Sequence, residues 1–178
     1  YLNNLAGDDA FNAAMKQYLT KNALHSAEAQ NWRLAVEEVT GEDWNWFFNE
    51  FYYHAGHPVL KVEYEYNDAG QKLEVTVTQV QDDSDFIYRL PLKTAIYYGS
   101  NKTVADWNLN SKKATFVYDY HNGVRPLIVP DCEHVLPGTL KENKKNDAWR
   151  EQFASCNDYI SKRLALNAAG RVLSDSNS

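Results

Sequence analysis

The sequence predicts an α+β chain of more than one part, with α-helices first, an antiparallel β-sandwich in the centre and an α-helix last. Two observations carry this. The apolar residues recur with helical period up to about residue 55, with period two from Val59, and with helical period again after Asp147. The period-two runs are short and are separated by turn-forming clusters, as in small all-β domains.

In the helical part, Asp8 and Asp9 precede a segment with Phe11, Met15, Tyr18 and Leu19 on one face. Acidic residues there suit the positive end of the helix dipole. Ser26 is the expected N-cap of a second helix carrying Trp32, Ala35, Val36 and Val39, which Gly41 ends. A third helix from about Glu42 sets Trp44, Phe47, Phe48, Phe51 and Tyr52 on one broad stripe, with Gly56 ending it. That stripe needs a partner, so dimeric or domain-swapped packing is one expectation.

Leu60, Val62, Tyr64 and Tyr66 alternate with charged residues, Asn67 to Gly70 makes a turn, and Leu73, Val75 and Val77 return in a second strand. FIYRLPLKTAIYY reads as a long strand that Pro91 places at an edge or a bulge. Residues 101–111 read as a loop or short strand, ATFVYDY as a strand and PLIVPD as the last one. Pro137-Gly138 and the polar run Lys141 to Asn146 read as a connection. One helix then places Trp149, Phe153, Cys156, Ile160 and Leu164 on a stripe.

Composition excludes several classes of function. The 178 residues are 44% hydrophobic and 24% charged, an ordinary balance for a soluble domain. A net charge of −6 argues against nucleic acid or an anionic membrane as partner. No apolar run approaches the roughly 18 residues of a membrane span. Two cysteines, Cys132 and Cys156, are too few for a disulfide framework, and one bridge or two free thiols both fit. The ends, Tyr-Leu-Asn-Asn and Ser-Asp-Ser-Asn-Ser, read as cut from something longer, so compartment is unknown.

The search for chemistry turns up few groups. His54 and His57 have the H-x-x-H spacing of a metal pair, but Gly56 lies between them and Pro58 disfavours helix at His57, which favours a helix end. Asp82, Asp83 and Asp85 lack the glycine and distal glutamate of a calcium loop and read as a solvated turn. Asn101-Lys102-Thr103 matches a glycosylation sequon. Cys132, Glu133 and His134 are adjacent in sequence, which a Cys-His nucleophile pair does not require, so a strand end is the expectation. Phosphate loop, G-x-S-x-G and H-E-x-x-H are all missing from the chain.

Six segments stand in a telling order: AGDDAFNAAMKQYL (6–19), VEEVTGEDWNWFFNEFYYHAGHPVLKVEYEY (36–66), LEVTVTQVQ (73–81), FIYRLPLKTAIYY (86–98), RPLIVPDCEHVLP (125–137) and AWREQFASCNDYISKRLAL (148–166). Together they resemble the non-catalytic downstream part of the aminopeptidase N-like zinc metallopeptidases, the gluzincin aminopeptidases. The resemblance implies that residues 1–57 are the helical end of the catalytic domain. Residues 58–137 would be an immunoglobulin-like sandwich, and 138–178 a linker and the start of a C-terminal helical domain.

It also implies that the family's H-E-x-x-H, its later glutamate ligand, its G-x-M-E-N segment and its oxyanion tyrosine lie upstream of Tyr1. No residue here matches them, so no catalytic, cofactor or metal residue is assigned in this chain. Zinc and peptide substrates belong to the parent protein, whose own catalytic and C-terminal helical domains are the expected partners, with the sandwich as spacer. The competing expectation is a free-standing immunoglobulin-like module that binds protein or carbohydrate through exposed aromatics such as Trp107, near Asn108-Leu109-Asn110.

Overall fold

The computed structural model describes residues 1–82 and 86–175, with side chains as far as Gly170. Among these residues are six α-helices, one π-helical turn and two sheets, in an α+β order. Two units form, residues 1–57 and 58–178.

In the first unit, α1 (Leu2–Ala6) and α2 (Asp8–Lys21) meet at Gly7, whose φ of 85° suits a residue without a side chain. The core here is aromatic and small at once. Leu2, Ala14, Val36, Trp44 and Phe48 are buried, and Trp32 and Phe47 pack against them. Ala14 sits on the contact face of α2, while Leu19, expected there, is 60% exposed. The α3 helix (Ala29–Thr40) starts two residues later than the Ser26 cap would place it. Glu28 occupies the N-cap, and its backbone N–H donates to Asn31 Oδ1 at 2.8 Å. Gly41 then ends α3 in the left-handed region at φ 71°, as its position in the sequence suggests.

Trp44 lies just before α4 (Asn45–Phe48) and is fixed from two sides. Its ring N–H donates to Thr40 Oγ1 at 2.9 Å, and its backbone N–H donates to Glu37 Oε1 at 3.0 Å. A wider, π-helical turn continues α4 over Asn49–Tyr53, closed by the His54 N–H on the Asn49 carbonyl at 3.0 Å. His54, extended at φ −79° and ψ 137°, ends this helix, so Gly56 plays no capping part.

The second unit opens with β1 (Val59–Asn67) and β2 (Lys72–Gln79), a hairpin that buries Leu60, Val62, Leu73, Val75 and Val77. β2 pairs on its far side with β5 (Lys113–Asp119), and β1 with β7 (Thr139–Glu142), giving the order β5-β2-β1-β7. The second sheet has the order β4-β3-β6, with β3 (Leu90–Tyr98) between β4 (Asn101–Leu109) and β6 (Leu127–Val129). Residues 86–89 of the expected long strand stay outside it, and 101–109 form a full strand.

Pro91 is therefore in the central strand and not on an edge. The reason is local: β6 reaches only Ala95, Ile96 and Tyr97, so at Pro91 β3 has β4 alone as neighbour. The β1–β7 pairing is parallel, which departs from the all-antiparallel expectation. It also carries the sheet past residue 137.

Trp107 is 1% exposed, so no aromatic is offered to a ligand at that position. It stacks on Phe116 at 4.5 Å with the rings 5° apart, and its N–H donates to the Tyr118 hydroxyl at 2.7 Å, joining β4 of one sheet to β5 of the other. On the other face of β3, Ala95 and Tyr97 form a cluster with Leu127, Val129 and Cys156, against which Cys132 and Ala148 pack. Where one helix was expected there are two, α5 (Asn146–Ser155) and α6 (Tyr159–Asp175), broken at the extended Cys156. Phe153, Ile160 and Leu164 are accordingly exposed and do not share a buried stripe. Among the described residues no helix is long and apolar enough to cross a membrane.

Candidate functional site

The polar centre of the second unit is built on β7. Gly138 lets this strand approach β1, because a Cβ there would stand 2.2 Å from the Pro58 carbonyl oxygen. In the resulting register Leu140 lies opposite Leu60 and Glu142 opposite Val62, both buried residues. Side chains of directly paired residues share a face, so the Glu142 carboxylate is carried inward. Only 7% of it is exposed, and a buried carboxylate requires partners.

It has two. Lys144 Nζ lies 2.7 Å from Glu142 Oε2, and the Tyr64 hydroxyl donates a short hydrogen bond to the same oxygen. The Lys144 side chain is only 2% exposed. Its ammonium also donates to Gln152 Oε1 at 2.7 Å and lies 4.6 Å from the centre of the Trp149 ring. Burial pushes its pKa down despite the opposing pull of Glu142. Tyr64 moves up, first through burial and then through the Glu142 charge.

The network continues into the last helix. Gln152 Nε2 donates to the Ser161 carbonyl at 3.1 Å. Asp158 Oδ1 accepts the Ser161 backbone N–H at 2.7 Å, capping the start of α6, and lies 2.8 Å from His134 Nε2. Ser161 Oγ is 3.3 Å from the same nitrogen. Serine, histidine and aspartate thus meet, but not as a catalytic triad. That arrangement needs the carboxylate on one ring nitrogen and the hydroxyl on the other, and here both share Nε2.

Burial would raise the Asp158 carboxyl. The hydrogen bonds from Ser161 N–H and from His134 outweigh burial and hold it below the usual aspartate range. The folded state therefore binds fewer protons here than the unfolded chain. Its contribution is complete above about pH 4, the ordinary aspartate pKa, and is lost as pH falls through the lower folded value. The stability gap between the native chain and Asp158→Asn is expected to be full near pH 6 and to close below about pH 4. Urea unfolding across that range measures it.

The residues singled out by sequence fall elsewhere. His54 is half-buried beyond the π-helical turn, and His57 is exposed. Asp82 is exposed in a bend, while Asp83 and Asp85 lie outside the described residues. Asn101, Lys102 and Thr103 open β4 and are exposed. Cys132, Glu133 and His134 follow β6 in a turn where Asp131 and His134 take positive φ, 47° and 56°. The Asp131 carboxylate holds that turn by accepting the Val135 and Leu136 N–H groups, each at 3.0 Å. Burial raises the Cys132 thiol, which disfavours the thiolate a nucleophile needs. Cys132 and Cys156 are both free. No three His, Cys, Asp or Glu among the described residues group to hold a metal.

The Glu142–Lys144 centre escapes sequence reading because Thr139–Glu142 offers one apolar residue in four. Its single usable signal is Gly138, which marks a close backbone approach. Beside this centre runs a trough of about 760 Å³ whose walls include Asp131, His134, Thr139, Glu142, Trp149 and Leu164.

No family model and no curated protein sequence matches the chain. Among solved structures, the chain is similar to Legionella pneumophila aminopeptidase A in complex with aspartic acid, with a TM-score of 0.69 at 15% identity. The match covers 92% of this chain and 19% of that one, and at this identity the likeness is one of fold.

Proposed function

We propose that the chain is a non-catalytic stretch of a zinc-dependent aminopeptidase that removes N-terminal residues from peptides. Residues 1–57 would close the catalytic domain, and the two sheets would form an immunoglobulin-like sandwich serving as spacer. Helices α5 and α6 would begin the C-terminal helical domain. The observation that supports this reading is the fold likeness over 92% of this chain to a 19% portion of an aminopeptidase. The chemistry of the second unit agrees with a structural role, since Lys144, Glu142 and Tyr64 hold one another and His134, Asp158 and Ser161 have no triad geometry.

Zinc belongs to the parent in this reading. The described residues do not fit it, lacking any convergent set of His, Cys, Asp or Glu. Two measurements test the proposal. The purified chain is expected to bind no stoichiometric zinc and to leave aminoacyl amides intact. The gene upstream of Tyr1 is expected to encode H-E-x-x-H followed by a glutamate. Zinc-dependent cleavage by the chain alone, or a full-length gene without that motif, overturns it.

A further inference from the structure

We propose that the free edge of β7 is a docking site for an extended peptide segment carrying an acidic residue, which adds to the sheet as a further strand. The inference rests on the trough and the strand, and does not depend on the aminopeptidase reading.

β7 ends the order β5-β2-β1-β7, so among the described residues no strand pairs with its far side. Its hydrogen bonds to β1 alternate along the strand. Thr139 N–H donates to the Pro58 carbonyl at 2.9 Å and Asn143 N–H to the Val62 carbonyl at 3.2 Å. In a parallel ladder the residues between them turn their amide and carbonyl groups the other way. These belong to Leu140 and Glu142, whose backbone N–H groups this alternation turns away from β1. Glu142 shows the same thing in its exposure. Its side chain is 7% exposed, yet the residue as a whole is not buried, so part of the surface it presents is backbone.

The edge does not open onto a flat surface. Its residues line the trough of about 760 Å³ together with Trp149 of α5 and Leu164, Asn167 and Ala168 of α6. At about 3.3 Å per residue, the four residues of β7 offer an edge roughly 13 Å long to an added strand. Strand addition of this kind takes its affinity from main-chain hydrogen bonds and its selectivity from alternate side chains.

Charge decides which segment. Lys141 lies directly opposite Lys61 in the register, a like-charge pair that costs stability. Lys61 is relieved by Glu63 at 2.7 Å, whereas Lys141, exposed, has no acidic partner among the described residues. A strand added outside β7 places one side chain next to Lys141 on the same face. A glutamate or aspartate there completes the row.

The test uses a fluorescein-labelled seven-residue peptide alternating threonine and valine, with a central glutamate, and the same peptide with a central lysine. The glutamate peptide is expected to bind about fivefold more tightly by fluorescence anisotropy, the equivalent of one favourable against one unfavourable cross-strand pair. Lys141→Glu should reverse that preference. Bound peptide should slow hydrogen exchange at the Leu140 and Glu142 amides, and backbone N-methylation of the peptide should abolish binding. Binding that survives N-methylation, or protection that spares those two amides, overturns the assignment. Self-association that protects the same amides without peptide also overturns it, since a second copy would then be the occupant.

Discussion

Lys144→Met is expected to destabilise the second unit by about 3–5 kcal/mol, the cost of leaving a buried charge without its partner. The methionine keeps most of the volume against Trp149 and Tyr64. It removes the ammonium that meets Glu142 Oε2 and Gln152 Oε1, each at 2.7 Å. The Glu142 carboxylate, 7% exposed, is then left with the Tyr64 hydroxyl alone. Adding Glu142→Met should return most of the loss, because an apolar pair of similar volume avoids the desolvation of both ions. Urea unfolding of the single and double variants measures the two effects. A single substitution costing under about 1 kcal/mol would place the pair among weak surface contacts and refute the buried-centre description.

Trp107→Ala should cost about 3–5 kcal/mol, the range for truncating a large buried aromatic. Three losses coincide at this position. The ring is 1% exposed, so its whole apolar surface leaves the core. Its stacking on Phe116 disappears, and the Tyr118 hydroxyl loses its donor at 2.7 Å. Trp107→Phe should cost less, since stacking on Phe116 survives while the N–H does not. The comparison separates ring burial from the hydrogen bond. An exposed ligand-binding tryptophan would instead change stability by little on truncation, as surface substitutions do.

These two positions also show what the sequence revealed and what it hid. The strands β1, β2 and β5 were legible because one face of each meets the core while the other meets water, which imprints period two on the residues. β3 was harder, as Ala95 and Tyr97 are buried on one face and Leu92, Thr94 and Ile96 on the other, so alternation fades. Trp107 sits in a strand whose first four residues are exposed on both faces, and such a strand reads as a loop.

β7 was illegible for a different reason. Its pairing depends on a residue that lacks a side chain and on a charge pair whose partners are revealed only in space. The break between α5 and α6 was equally hidden, since the helical spacing of Trp149, Phe153, Cys156, Ile160 and Leu164 runs straight through it. The network at His134, Asp158 and Ser161 joins a turn to a helix start 24 residues later, a separation over which spacing carries no information.

The parallel seam between β1 and β7 has a consequence for how this unit folds and how it can be cut. Tyr64 and Glu142 are 78 residues apart in sequence, and closing a loop of that length costs roughly 4 kcal/mol of chain entropy on a logarithmic scale. The hairpins β1–β2 and β3–β4 close far smaller loops, so the seam belongs to the late, slow part of assembly. A polypeptide ending at Pro137 would keep both hairpins and lose the seam. It would bare the backbone edge of β1 along Leu60 and Val62, the kind of open strand that recruits other chains. The smallest stable version of this unit therefore has to run at least through Lys144, the buried partner of Glu142.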